Sequence, residues 1–202
     1  MSEPLIIDLF VEDRAHEEFL KPLLFRIAAE EQVAVKVRVR SARGGHARAG
    51  KELQLFLRLI QKGVEECPDL FVVGIDGNCE RFTKKRDQIA TATGEAIPAK
   101  VIAACPDPHV ECWYLADPDS FQQVVGYRPT VGKTKCARDH YKTILANAVR
   151  QGGYPPTLGG IEFAAELVTA MDLYRASKND PSLKAFLGDL RAKLRQAKRR
   201  DE

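Results

Sequence analysis

Apolar residues fall in short blocks along the first 125 residues, and a longer stretch of mixed character follows each block. Leu5 to Val11 (LIIDLFV) has the largely apolar run of a strand buried on both faces. Arg14 to Glu31 follows with Phe19, Leu20, Leu23, Leu24 and Ile27 at helical spacing, and Pro22 inside it predicts a kink or an early break. Val33 to Arg40 alternates apolar residues with Lys and Arg, the pattern of a strand at or near a sheet edge with one buried face. Ser41 to Ala47 reads as a glycine-containing loop and Arg48 to Glu66 as a second helix. Leu70 to Ile75 reads as a central strand, Arg81 to Thr93 as a polar helix and Ala99 to Ala104 as another strand. A short helix with Val110, Trp113, Tyr114 and Leu115 then precedes a turn or helix beginning at Asp117–Pro118.

From Gly126 the pattern changes. Gly126 to Cys136 is loop-like, and Asp139 to Gln151, Ile161 to Ser177 and Pro181 to Lys198 read as helices, the last with Asp180 as N-cap and Pro181 at its first position. Leu167, Met171 and Tyr174, then Leu183, Phe186, Leu187 and Leu190, are expected to form buried stripes. The chain therefore divides into an α/β core over 1–125 and a helical cap over 126–202 packed on it, with a mostly parallel sheet flanked by helices.

Composition narrows the class. No apolar run is long enough to span a bilayer, and Met1 to Phe10 lacks the basic start of a secretory signal, so a cytoplasmic protein is expected. Five scattered cysteines without a CxxC pair argue against a disulfide framework, and Cys79, Cys105, His109 and Cys112 fit no common zinc spacing. Net charge is only +3, yet Lys36 to Lys51 holds six basic residues and no acid, and Lys184 to Glu202 holds seven against three acids. Either stretch is a phosphate-binding surface or a solvated face.

The chemistry lies at the strand ends. In open α/β sheets ligands bind beyond the carboxyl ends of the strands. Glu12 follows the first strand, Asp76 the central one, and Glu111 lies shortly after the last. Each has an ordinary structural use: Glu12 and Glu111 as acids of a first helical turn, Asp76 as the turn residue of Asp-Gly-Asn. Together, carboxylates without paired cations call for a divalent metal, and oxygen ligands favour Mg2+ or Mn2+. An uncompensated acid is a source of repulsion, so Asp76→Asn is expected to leave stability unchanged or slightly raised. Val131-Gly-Lys-Thr134 resembles the end of a P-loop, but Tyr127 stands where its first glycine belongs, and no GxGxxG is present. Glu12–Asp13 and Asp76 also imitate a response-regulator receiver, whose lysine after the last strand is missing.

Four segments carry a family resemblance: LFVEDRAHEEFL (9–20), VVGIDGNCE (72–80), PDPHVECWYLADPDSF (106–121) and GGIEFAAELVTAMDLYRASKNDPSLKAFLGDLR (159–191). The chain resembles a stand-alone TOPRIM-fold protein akin to the nuclease domain of the OLD (overcoming lysogenization defect) family. The resemblance implies a TOPRIM-like sheet and assigns metal-binding roles to Glu12, Asp76, Asn78 and Glu111. Asn78 stands where TOPRIM domains have a second aspartate. Asp13 and His16 depart from the pattern after the glutamate, where a glycine and a second acid are usual. The implied chemistry is Mg2+-dependent phosphodiester hydrolysis, with His16 and His109 as general acid/base candidates. Arg43, Lys51, Lys84 and Lys85 are candidates for holding nucleic-acid phosphates. A defence role with a separate ATPase partner follows from the OLD resemblance alone. The alternative is a TOPRIM-like binding or regulatory module without activity. Homo-oligomerisation is left open.

Overall fold

Strands β1 (Leu5–Val11), β2 (Val35–Ser41), β3 (Leu70–Gly74) and β4 (Val101–Ala104) form one all-parallel sheet in the order β2-β1-β3-β4. The computed structural model describes residues 3–42, 46–94, 97, 100–132, 136–137 and 139–201, apart from the side chains of residues 46, 47, 200 and 201. The fold is α/β, with a parallel sheet, flanking helices and a helical C-terminal extension. From β1 the chain moves to one side to place β2 and to the other to place β3. The topological switch point therefore lies between β1 and β3.

Alternation along the strands builds two cores. Ile7, Leu9 and Val11 of β1, Leu70 and Val72 of β3, and Ile102 and Ala104 of β4 join one cluster with helix α1 (Arg14–Glu30). Phe10, Phe71 and Val73 point the other way, into a cluster with α2 (His46–Gln61) and α3 (Phe82–Thr93). Placing α1 on one face and α2 and α3 on the other is what right-handed crossovers in opposite directions require.

Pro22 does not end α1, which continues to Glu30. An interior proline costs about 3 kcal/mol. Leu20, Leu23, Leu24 and Ile27 are fully enclosed, and each such side chain gains about 1.5–3 kcal/mol on burial. Helix α2 stops at Gln61, short of the expected Glu66, because Gly63 turns the chain at φ +68° and Val64 N–H donates to the Leu59 carbonyl.

The edge strand β2 explains much of the first basic run. Arg38 lies in register with the buried Asp8 of β1, donates to it through Nε and Nη2, and reaches Glu66 at 2.7 Å. Arg40 pairs with Glu65 at 2.7 Å and lies over the Phe56 ring. These two arginines hold the edge strand rather than offering free charge.

Helix α4 (Glu111–Tyr114) is short, and all of its side chains are buried. Trp113 Nε1 donates to Ser182 Oγ at 2.9 Å, while Tyr114 OH donates to the Ala15 carbonyl at 2.8 Å. Phe19 of α1 lies against both rings. Next come α5 (Pro118–Val125), α6 (His140–Gln151), a 3-10 turn (Ile161–Phe163), α7 (Ala164–Ala170), α8 (Leu173–Asn179) and α9 (Pro181–Asp201). Residues from α5 to α9 join the same apolar cluster as α1. Asp180 caps α9 through the Leu183 N–H, as its sequence predicts.

The expected helix over Ile161 to Ser177 breaks after Ala170. Asp172 caps α8 by accepting from the Tyr174 and Arg175 N–H groups, and its own N–H donates to Asp117. The break shifts the helical register, so Tyr174 points outward at 70% exposure and leaves the expected stripe. The second basic run is tied down as well: Arg191 and Arg195 of α9 pair with Glu30 and Glu31 at the end of α1. Arg26 of α1 donates to the Val168 and Met171 carbonyls at the end of α7.

The reading against disulfides needs one correction. Cys79 and Cys136 are bonded, with their Cα atoms 5.3 Å apart. The pair is separated by 57 residues and meets only through the tertiary fold.

Asp117 generates a stability prediction. Burial alone would raise its pKa, but hydrogen bonds from Arg175, Ser120 and the Asp172 N–H hold it below the ordinary 3.8. Asp117→Asn is expected to cost about 1–3 kcal/mol at neutral pH. A depressed folded-state pKa contributes stability above the ordinary value and loses it as pH falls through the folded value. Denaturant unfolding should therefore show the gap between wild type and variant closing under strong acid.

Candidate metal centre

The parallel sheet sends all strand carboxyl ends to one edge, and the three predicted acids follow β1, β3 and β4 there. Glu12 and Asp76 flank the switch point, where open α/β sheets leave a crevice. Glu12 N–H donates to the Gly74 carbonyl at 2.9 Å, and Glu12 Oε2 accepts the Asp76 N–H at 3.1 Å. Asp76 Oδ1 accepts the Val110 N–H at 2.8 Å, and Oδ2 lies 3.2 Å from His109 Nδ1.

Two glycines sit at close approaches here. A Cβ on Gly74 would lie 2.7 Å from Leu20 Cδ1, a side-chain tip that would have to shift, and 3.5 Å from the His16 ring. A Cβ on Gly77 would lie 2.9 Å from the Pro106 carbonyl oxygen. The Gly77 N–H donates to that same oxygen at 2.8 Å and the Asn78 N–H to the Pro108 carbonyl at 3.0 Å, so the loops after β3 and β4 are stitched together.

His16 is fully enclosed, with Nδ1 2.8 Å from Asp13 Oδ1 and Nε2 3.1 Å from Asp76 Oδ1. The second contact is at ion-pair distance without hydrogen-bond alignment. Burial alone would lower the His16 pKa, but the Asp76 charge and the Asp13 hydrogen bond outweigh it and push the value up to about 10. The imidazole is thus charged at neutral pH. Asp76 is held well below the ordinary carboxyl range: burial opposes ionisation, and His16 and His109 more than compensate. Asp13, the cap of α1, joins the site without being one of the candidates that the sequence points to. Its signal is Asp13-x-x-His16 at a helix start, where one carboxylate takes both the backbone and the ring N–H of the histidine.

Glu111 differs from its neighbours. It is 2% exposed, and among the described residues its Oε2 has no hydrogen-bond partner. Burial, followed by repulsion from Asp76, raises its pKa, while Lys142 and His16 pull the other way. Among the described residues no group of three or more His, Cys, Asp or Glu side chains is placed to hold a metal ion.

His109 is half-buried at the opening, with 17% of its side chain exposed. Asn78 is half-buried on the same loop as Asp76, with φ +47°. Of the predicted basic residues, Lys84 is exposed and bonded to Glu80 at 3.0 Å, and Lys85 lies 3.9 Å from the same carboxylate. Lys51 is exposed on α2, and Arg43 falls outside the described residues. No helix among the described residues is long and apolar enough to cross a membrane.

A family model described as a domain of unknown function, DUF4276, matches residues 11–191. The chain belongs to the DUF4276 family. The matched span covers the buried Glu12, His16, Asp76 and Glu111 and the half-buried His109 of this DUF4276 protein. No curated protein and no solved structure matches the chain.

The expectation for Asp76→Asn is reversed by this geometry. Asp76 is compensated by two histidines and a backbone N–H, so its loss leaves the enclosed His16 imidazolium with Asp13 as its remaining carboxylate and leaves the Val110 N–H with a weaker acceptor. The variant is expected to be less stable by about 2–4 kcal/mol. The pair contributes fully between the ordinary values 3.8 and 6.5. It weakens as pH falls through the depressed Asp76 value or rises through about 10, where His16 loses its proton. Unfolding of wild type and variant across pH checks both the sign and the window.

Proposed function

We propose that this protein is a divalent-metal-dependent nuclease in which Glu12, Asp76 and Glu111 hold Mg2+ or Mn2+ at the sheet's carboxyl edge. The observation that carries the reading is the Glu111 carboxylate, buried beside Asp76 with an oxygen that no described donor satisfies. A buried carboxyl oxygen without a partner is costly, which is why burial raises the Glu111 pKa, and a hard cation is the occupant that an oxygen-only donor set selects. When bound, the ion supplies phosphoryl polarisation and an activated water for phosphodiester hydrolysis.

The chain's own residues divide the remaining work. Glu12 receives the Asp76 N–H and so orients the loop that carries both Asp76 and Asn78. Asp76 has lone pairs beyond those used by Val110 and the histidines, since a carboxylate offers about four acceptor sites. Asn78 adds a neutral oxygen where TOPRIM domains have an acid. His16 has no exposed surface and holds Asp76 in place. His109 reaches solvent and is the group able to carry a proton to or from a substrate. The OLD resemblance extends the proposal to a defence role beside a separate ATPase.

One observation favours a second reading, a TOPRIM-like binding module without activity. The charged His16 already gives Asp76 a cation from within the chain. Calorimetric titration with Mg2+ and Mn2+, paired with nuclease assays, separates the two. Asp76→Asn and Glu111→Gln are expected to weaken metal binding by about tenfold or more and to abolish cleavage. Asn78→Asp should tighten binding by restoring a second acid. Equal affinity in wild type and all variants removes the metal site and the nuclease reading with it.

A further inference from the structure

A cavity of about 320 Å³ opens between α2 and α3 on the sheet face opposite α1. Its walls repeat one pattern. Lys51 and Gln54 sit three residues apart on α2, Lys85 and Gln88 sit three apart on α3, and all four line the cavity. Ile75 and Ile89 are buried and supply apolar surface. Among the described residues lining the cavity there is no acid. Glu80 stands at its border, where its carboxylate takes Gln88 Nε2 at 3.1 Å and lies 3.9 Å from Lys85 Nζ. An anionic group is thus already held by one Lys–Gln pair of the two.

We propose that this cavity binds a mononucleotide unit, with its phosphate between Lys51 and Lys85 and its base against Ile75 and Ile89, read by the Gln54 and Gln88 amides. The residue types divide as such a ligand does. Ammonium groups recognise phosphate as point charges, side-chain amides pair with base edges, and branched apolar residues accept a ring face. The cavity volume lies at the lower end of the range for small-molecule sites, in keeping with a single nucleotide unit. Glu80 competes with the phosphate for Lys85 and Gln88, so its carboxylate sets a ceiling on affinity. The proposal goes beyond the metal centre and does not depend on it, because none of the cavity residues is a candidate metal ligand.

Equilibrium binding to the full chain in EDTA and low salt tests it, with adenosine 5′-monophosphate, inorganic phosphate and adenosine as separate probes. Chelator keeps the outcome independent of the metal reading. The monophosphate is expected to bind about tenfold or more tighter than either fragment. Lys51→Ala, at an exposed position that the fold does not need, should weaken it by about tenfold, and Lys85→Ala similarly. Glu80→Gln should tighten it. Phosphate binding as tightly as the nucleotide would leave only an anion spot, and adenosine binding as tightly would leave only an apolar slot. Either result overturns the proposal, as does nucleotide binding unchanged by both lysine variants.

Discussion

The Asp76 carboxylate is the interaction on which the functional edge depends. It is an ion held almost entirely out of water, and such a charge survives only when its lone pairs are used. The partners come from distant parts of the chain: His16 from the start of α1, and His109 and the Val110 N–H from the loop after β4. Satisfying one side chain therefore fixes three segments relative to one another. The same demand explains why glycine occupies position 77, where a Cβ would push the β4 loop off the β3 loop.

Helix α4 carries that local order outward. Glu111 is its first residue, Trp113 bonds Ser182 in α9, and Tyr114 bonds the carbonyl of Ala15 in α1. One four-residue helix thus ties the first crossover to the C-terminal helices by hydrogen bonds and carries Glu111 at its first position. The helices beyond residue 126 share the apolar cluster of α1, so the geometry at the edge is supported from well outside the strands that bear the acids. Asp117 has a comparable role further out, joining α5, the break after α7 and Arg175.

The charge balance at the edge has two sides. Asp76 and Asp13 are matched by His16, which makes that part of the site self-sufficient. Among the described residues Glu111 Oε2 has no hydrogen-bond partner, and burial raises the Glu111 pKa. The cavity between α2 and α3 lies on the opposite face from α1, with Ile75, next to Asp76 in the chain, in its wall.

The sequence by itself determined the strands, the order of strands and helices, the exposed edge at β2 and the three acids at strand ends. These follow from local periodicity and from the rule that parallel strands share a carboxyl edge, neither of which needs a contact list. Tertiary structure alone decided what those acids touch. His16 looks on paper like a free acid/base group, and the fold encloses it between two carboxylates. Arg38, Arg191 and Arg195 belong to basic runs that the sequence leaves open between a phosphate surface and a solvated face, and the fold pairs them with Asp8, Glu30 and Glu31. Cys79 and Cys136 look unrelated and are bonded. The physical reason is the same throughout: periodicity reports which face a residue takes, whereas charge pairing and disulfide bonding depend on which distant residue the packed chain brings within about 4 Å or less.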